Sequence, residues 1–138
     1  MRVVVQRVSE ASVTVEGEIT GAIQAGLLVL CGFCPEDTED DLQWMAAKIV
    51  KQRIFSDADG QMNLSVEDIG GSLLVVSQFT LFASYKKGNR PGFTGAARPE
   101  LAIPLYERFL TILETLTGKR PERGIFGADM KVDRKSVV

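Results

Sequence analysis

Four consecutive apolar residues, Leu73-Leu74-Val75-Val76, sit between Ser72 and Ser77. A strand turns alternate side chains to opposite faces, so an unbroken apolar run marks a strand buried on both. Leu27–Cys34, opened by Gly26, is a second run of this kind. Such strands need a sheet with cover on each face, and the rest of the chain has to supply that cover.

The remaining pattern supplies strands and helices. Arg2–Val8 reads as a strand with a near-continuous apolar stretch. Ala11–Glu16 alternates Val13 and Val15 with Ser12, Thr14 and Glu16, as a half-buried strand does. Glu16-Gly17-Glu18 predicts a tight turn into a short strand, Ile19–Ile23. Strands this closely spaced predict an antiparallel meander, and Gly124–Val132 reads as a last strand with a Gly-rich start. Thr38 is a good helix N-cap, with Asp41 as capping-box partner and three acids in the first turn. Leu42, Met45, Ala46, Ile49, Val50 and Ile54 then make one buried face. A second helix runs from about Glu100 to Thr117, with Leu101, Leu105, Phe109, Ile112, Leu113 and Leu116 inward, Pro104 near its start and Gly118 as C-cap. Lys86–Pro99 reads as loop. The expected fold is α/β of the α+β type. It is one domain over residues 1–138, a mostly antiparallel sheet or partial barrel with two main helices packed on it.

Composition narrows the chemistry. There is no histidine in 138 residues. That removes Ser-His-Asp and Cys-His nucleophile pairs and every His-ligated metal site. Two cysteines cannot make a four-thiolate site or a disulfide framework. The apolar start at Met1 is broken at Arg7, too soon for a signal peptide or a membrane span, so a cytoplasmic protein is expected. Residues 1–85 hold five Lys/Arg against twelve Asp/Glu, whereas residues 86–138 hold eleven against six. A basic half suits an anionic partner such as nucleic acid, and equally suits an uneven solvated surface.

Several constellations could carry chemistry. Cys31-Gly32-Phe33-Cys34 is a CxxC, but both cysteines are expected to close a strand beside acids that raise a thiol pKa. Two small core residues are the plainer reading. Ser56–Gly60 faintly resembles a calcium loop, with its glycine misplaced and no closing Glu. Gly124-Ile125-Phe126-Gly127 lacks the ending of a phosphate loop, which leaves close packing as the role of its glycines. Lys86-Lys87-Gly88-Asn89-Arg90-Pro91-Gly92-Phe93 joins three cations and a ring, the means to touch phosphates and stack on a base. In Ser77-Gln78-Phe79-Thr80-Leu81 a buried strand stops and presents two hydroxyls and an amide.

These residues carry a resemblance. The chain resembles the D-aminoacyl-tRNA deacylases, historically D-tyrosyl-tRNA deacylases, from Met1-Arg2-Val3-Val4-Val5-Gln6-Arg7-Val8 through Ser77–Leu81, the Lys86–Phe93 loop and Leu105-Tyr106-Glu107 to Gly127-Ala128-Asp129-Met130. The resemblance implies hydrolysis of the ester between a D-amino acid, or glycine, and the terminal adenosine of tRNA. It implies an aminoacyl-tRNA partner, a homodimer with the active site at the subunit interface, no membrane, and neither metal nor organic cofactor. It further implies an oxyanion hole from backbone N–H groups around Phe79 and Thr80, and Gln78 on the terminal ribose. Ser77 and Phe79 would shape the pocket, with Leu81 and Phe93 beside it and Met130 next to adenine or aminoacyl group. Arg7 would orient the family's second motif, and Lys86, Lys87 and Arg90 would meet acceptor-stem phosphates. Thr80 ranks as a positioning group before a covalent nucleophile, since no histidine can activate it.

The chain departs from the family pattern at one place. The second signature, Asn-x-Gly-Pro-x-Thr, should follow Met130 by about six residues. Here the sequence reads Lys131-Val132-Asp133-Arg134-Lys135-Ser136-Val137-Val138. In the family the Gly-Pro bond is cis and its carbonyls exclude L side chains from the partner's pocket. A cis bond before a residue other than Pro costs ~2.5–4 kcal/mol, so Val137-Val138 is no substitute. A truncated or frame-altered end is the first expectation and a natural variant without the filter the second. Either way deacylation is expected to be reduced or absent, or discrimination lost. A non-catalytic relative that only binds aminoacyl-tRNA is the alternative function, and a thiol redox protein a distant third.

Overall fold

The computed structural model describes residues 1–137. Its organising element is β1 (Arg2–Val15), fourteen residues long. The first half of β1 pairs antiparallel with β3 (Gly26–Gly32), from Arg2 opposite Gly32 to Val8 opposite Gly26. The second half pairs antiparallel with both β2 (Glu18–Ile23) and β8 (Met130–Ser136). The two strands expected at 2–8 and 11–16 are therefore one. Ser9 and Glu10 carry straight through, and a register shift opposite β8 between Val8 and Glu10 absorbs the irregularity. Glu16 and Gly17 both have positive φ, 50° and 80°, which is the geometry of a two-residue hairpin turn.

The expected meander is corrected. β1 lies between β2 and β3, and β3 pairs in parallel with β6 (Ser72–Ser77). β6 in turn pairs in parallel with β7 (Glu122–Arg123). Parallel neighbours need a crossover. Here α1 (Glu39–Lys51) and a small hairpin of β4 (Phe55–Ser56) and β5 (Met62–Leu64) provide it. The sheet is thus mixed, and its ends approach each other. Gly21 of β2 lies so near β7 that a Cβ on it would stand 2.6 Å from the Arg123 carbonyl oxygen. The result is a nearly closed barrel.

The apolar run in β6 divides between two cores. Leu74 and Val76 turn into the barrel with Val8, Val13, Ile23 and Leu28. Leu73 and Val75 face outward against α1 and α2 (Pro99–Thr117), together with Leu27 and Val29. All four central residues of the strand are buried, as the run required. Thr38 caps α1 in a full capping box with Asp41. Leu42, Ala46, Ile49 and Val50 are its buried face, while Ile54 falls past the helix end and still packs on the same core. The face of α2 is wider than the expected one, with Leu105 and Leu116 packed on the core as expected and only Leu101 outside it. Ala102, Tyr106 and Leu110 join Phe109, Ile112 and Leu113 inside, and Leu101 is exposed. Tyr106 can be buried because its hydroxyl donates to the Val75 carbonyl at 3.0 Å. Gly118 ends α2 in the left-handed region, φ 71°. Arg108 of α2 pairs with Glu39 of α1 at 2.6 Å.

The last strand is also shifted. Residues 124–129 lie outside any strand, with a turn at 126–127, and β8 runs from Met130 to Ser136. Arg134-Lys135-Ser136 remains a strand despite its polarity because it lies along β1 with cross-strand partners. Lys135 reaches Glu10 at 2.8 Å, and Arg134 donates to the Gln6 side chain.

Phe109 is fully buried and meets Phe33 edge-on at 6.2 Å between ring centroids. Phe109→Ala is expected to lower unfolding free energy by about 3–5 kcal/mol in a denaturant titration.

Candidate active site

β3 and β6 end together. Their parallel pairing reaches Cys31 opposite Ser77, and the Gln78 N–H extends it by donating to the Cys31 carbonyl at 2.7 Å. The chain then coils into one 3-10 turn, Phe79–Phe82. Leu81 N–H donates to the Gln78 carbonyl and Ala83 N–H to that of Thr80, each at 3.2 Å. The N–H groups of Phe79 and Thr80 precede the first of these bonds, at the open end of the turn. The polar break after the apolar run is therefore a strand end, and the turn after it was not foreseen from sequence.

A cavity of about 320 Å³ opens at this end. Carboxyl ends of parallel strands are where α/β sheets commonly hold ligands. Ser77, Gln78 and Phe79 line the cavity, and Phe126, Met130 and Val132 come to it from the last strand and the turn before. Gly124 is what lets Met130 in, since a Cβ there would collide with the Met130 sulfur. The close-packing role expected for that glycine holds, though its neighbour is a side chain. Gly127 has φ 78° and turns the chain toward the pocket edge.

Four expected site residues, Ser77, Gln78, Phe79 and Met130, thus meet in one cavity. Thr80 stands beside it, its hydroxyl accepting a hydrogen bond from the Gln78 side-chain amide. That is its one side-chain partner among the described residues, so the threonine holds the amide rather than facing a base. Leu81 is half-buried, and its carbonyl accepts from Arg2 at 2.8 Å. Arg7 lies elsewhere: its guanidinium donates to the Ile54 carbonyl at 2.7 Å, and its own carbonyl accepts from Val137 at 3.0 Å. Val138, the other half of the pair weighed against the family's Gly-Pro, lies outside the described residues.

The basic loop is tied down at its base by two Ser84–Gly92 hydrogen bonds of 2.8 and 2.9 Å. Lys86, Lys87 and Arg90 are exposed, and none is in an ion pair among the described residues. Phe93 does not stand free. It packs edge-on against Phe79, with centroids 5.3 Å apart at 77°. The exposed ring of this loop is Tyr85, 61% accessible, which sequence reasoning passed over. Phe126 and Val132 were missed as well. They sat in a stretch read as packing and strand, with no polar neighbour to mark them.

Fold and pocket define a class: a small α+β domain whose binding cavity sits at the carboxyl ends of two paired parallel strands. The family model described as D-Tyr-tRNA(Tyr) deacylase matches residues 4–136. The chain belongs to that family. A protein of Flavobacterium johnsoniae named D-aminoacyl-tRNA deacylase is 58% identical over 133 residues, covering 96% of this chain and 89% of that protein. One of the same name from Dechloromonas aromatica is 59% identical over 132 residues, covering 96% and 88%. Among solved structures, c-Myc DNA Unwinding Element Binding Protein superposes with a TM-score of 0.92 at 42% identity, covering 98% of this chain and 91% of that one. A probable eukaryotic D-amino acid tRNA deacylase shares the fold with a TM-score of 0.80 at 16% identity, over 97% and 94%.

The two cysteines do not form a matched pair. Cys31 is in β3 and fully buried, whereas Cys34 lies beyond the strand end. Burial pushes the Cys31 thiol well above its ordinary range. Cys34 is raised too, first by burial and then by the Asp37 carboxylate, 3.4 Å from its sulfur. Both shifts reduce thiolate at neutral pH, opposite to what a redox CxxC needs. Alkylation by iodoacetamide at about pH 7.5 is expected to modify Cys34 slowly and Cys31 only after denaturation, read by peptide mass mapping.

Proposed function

We propose that this chain hydrolyses the ester that joins a D-amino acid to the 3′-terminal adenosine of tRNA. The observation that carries the reading is the strand-end pocket at Ser77–Phe79 in a chain 58–59% identical to deacylases across 96% of its length. An aminoacyl ester is already reactive, which suits a pocket without histidine. Water adds to the ester carbonyl, and the adjacent ribose hydroxyl helps to activate it. The carbonyl oxygen becomes an oxyanion that Phe79 and Thr80 N–H groups stabilise. Collapse breaks the bond to the ribose oxygen, which leaves protonated, and frees tRNA and the amino acid. Positioning and preorganised donors do the work that a side-chain base does elsewhere.

The remaining residues fall around that reaction. Gln78, steadied by Thr80, holds the terminal ribose. Ser77 and Phe79 shape the pocket, and Met130 packs beside adenine or aminoacyl group. Leu81 and Phe93 support the Phe79 side, while Lys86, Lys87 and Arg90 meet acceptor-stem phosphates. Arg7, whose guanidinium donates to the Ile54 carbonyl, stands outside this cavity, and the motif it orients in the family is not found in this sequence; the active site lies at the subunit interface of a homodimer. Glycine mischarged on alanine tRNA is a further substrate, and the cytoplasm is the compartment where these substrates are made. No metal or organic cofactor takes part in this scheme.

The test is ester loss from D-Tyr-tRNA, L-Tyr-tRNA and Gly-tRNA, run with Thr80→Ala and Thr80→Ser. Hydrolysis of the D-ester above the spontaneous rate, kept within about tenfold by both variants, is the expected result. Binding without ester loss contradicts the function. Loss of activity in Thr80→Ala alone, by more than about a thousandfold, makes Thr80 a nucleophile.

A further inference from the structure

We propose that Arg2 is a positioning residue for the reaction, gripping the Phe79–Phe82 turn from behind and so fixing Gln78 and Phe79 in the pocket. This rests on the reading of that turn as the reaction site. Arg2 does not line the cavity. It reaches the turn from the first residue of β1 in two ways. Its Nη1 donates to the Leu81 carbonyl at 2.8 Å, and its guanidinium lies 4.6 Å from the centroid of the Phe82 ring. One planar group therefore holds both the backbone and a side chain of the same turn. A lysine ammonium can take the carbonyl or the ring face but lacks the flat fork that serves both.

The opposite side of the clamp is Gly32, which pairs with Arg2 across the β1–β3 ladder. A Cβ on Gly32 would stand 2.8 Å from the Gln78 carbonyl oxygen and 3.3 Å from two Phe82 ring carbons. The glycine lets the turn settle onto β3, and Arg2 holds it there. The hydrogen bonds of the turn itself, from Leu81 and Ala83, run only to Gln78 and Thr80. They close the coil without fixing where it points. The Gln78 N–H bond to Cys31 anchors its start, and Arg2 anchors its far end. Arg2 is exposed and in no ion pair among the described residues, so its removal leaves the buried cores intact.

The experiment compares the full chain with Arg2→Ala, Arg2→Lys and Gly32→Ala, using amide hydrogen exchange by NMR and D-Tyr-tRNA hydrolysis. In Arg2→Ala the Leu81 and Ala83 amides are expected to exchange about tenfold faster, while Val29 and Val75 in the core strands are unchanged. The kcat is expected to fall about tenfold with KM within about twofold, the mark of a group that orders the reacting geometry without binding substrate. Arg2→Lys should recover part of both losses, and Gly32→Ala, at a position that also lines the cavity, should reproduce the faster exchange from the other side. Unchanged exchange at Leu81 and Ala83 in Arg2→Ala overturns the clamp. Faster exchange with an unaltered kcat overturns its role in positioning. An unsubstituted chain inert on D-Tyr-tRNA defeats the functional reading instead, and the exchange data then decide the clamp by themselves.

Discussion

The pocket hangs on the parallel pairing of β3 with β6. That ladder brings two strands to their carboxyl ends at the same level, Cys31 opposite Ser77, and one further bond from Gln78 seats the next residue. Beyond it the chain has no strand partner left, so it coils, and the coil puts Gln78 and Phe79 at the cavity. The pairing stands because both faces are covered. Leu74 and Val76 are locked inside the barrel, and Leu73 and Val75 beneath the helices. With all four side chains buried, a one-residue slip would exchange the two cores, which fixes the register.

The absence of histidine takes on a structural meaning here. From β6 and its turn the cavity is lined by Val76, a hydroxyl, an amide, an aromatic ring and backbone, and Asp129 brings the one carboxylate among the lining residues. Thr80, the candidate nucleophile, is occupied with the Gln78 amide. The strand end and its turn can orient and polarise an ester, and they bring no side-chain base of their own. The buried thiol of Cys31 at the pocket adds apolar lining, since burial keeps it protonated. The charge asymmetry has its counterpart in the exposed Lys86–Arg90 loop, which is joined to the pocket through the Phe93–Phe79 contact.

Legibility followed locality. Thr38 with Asp41, Gly118, and the Glu16-Gly17 turn were readable because each is fixed by neighbours within a few residues. The buried run of β6 was readable because any partner would bury it. What failed depended on distant partners. Nothing near Ser9 or Glu10 says that β8 will pair across them and keep β1 whole. Nothing in α2 says that the Tyr106 hydroxyl will find the Val75 carbonyl, or that Leu101 will stay exposed. In the site, Ser77–Thr80 announced itself by polarity after an apolar run. Phe126 and Val132 gave no such signal, and the grip of Arg2 on Leu81 joins residues 79 positions apart.

The central claim is that backbone donors and the substrate's own hydroxyl replace a titrating side-chain base. Its most direct test is the ratio of the catalysed to the spontaneous rate constant for D-Tyr-tRNA ester loss between about pH 6 and 8, the window in which a histidine base titrates. An ester of the hydroxy-acid analogue of D-tyrosine, run beside it, has no amino group to titrate, so an inflection shared by both substrates belongs to the protein. The account predicts a ratio that changes smoothly, without inflection, across the window. An inflection in that range, reporting a base on the protein, would contradict it.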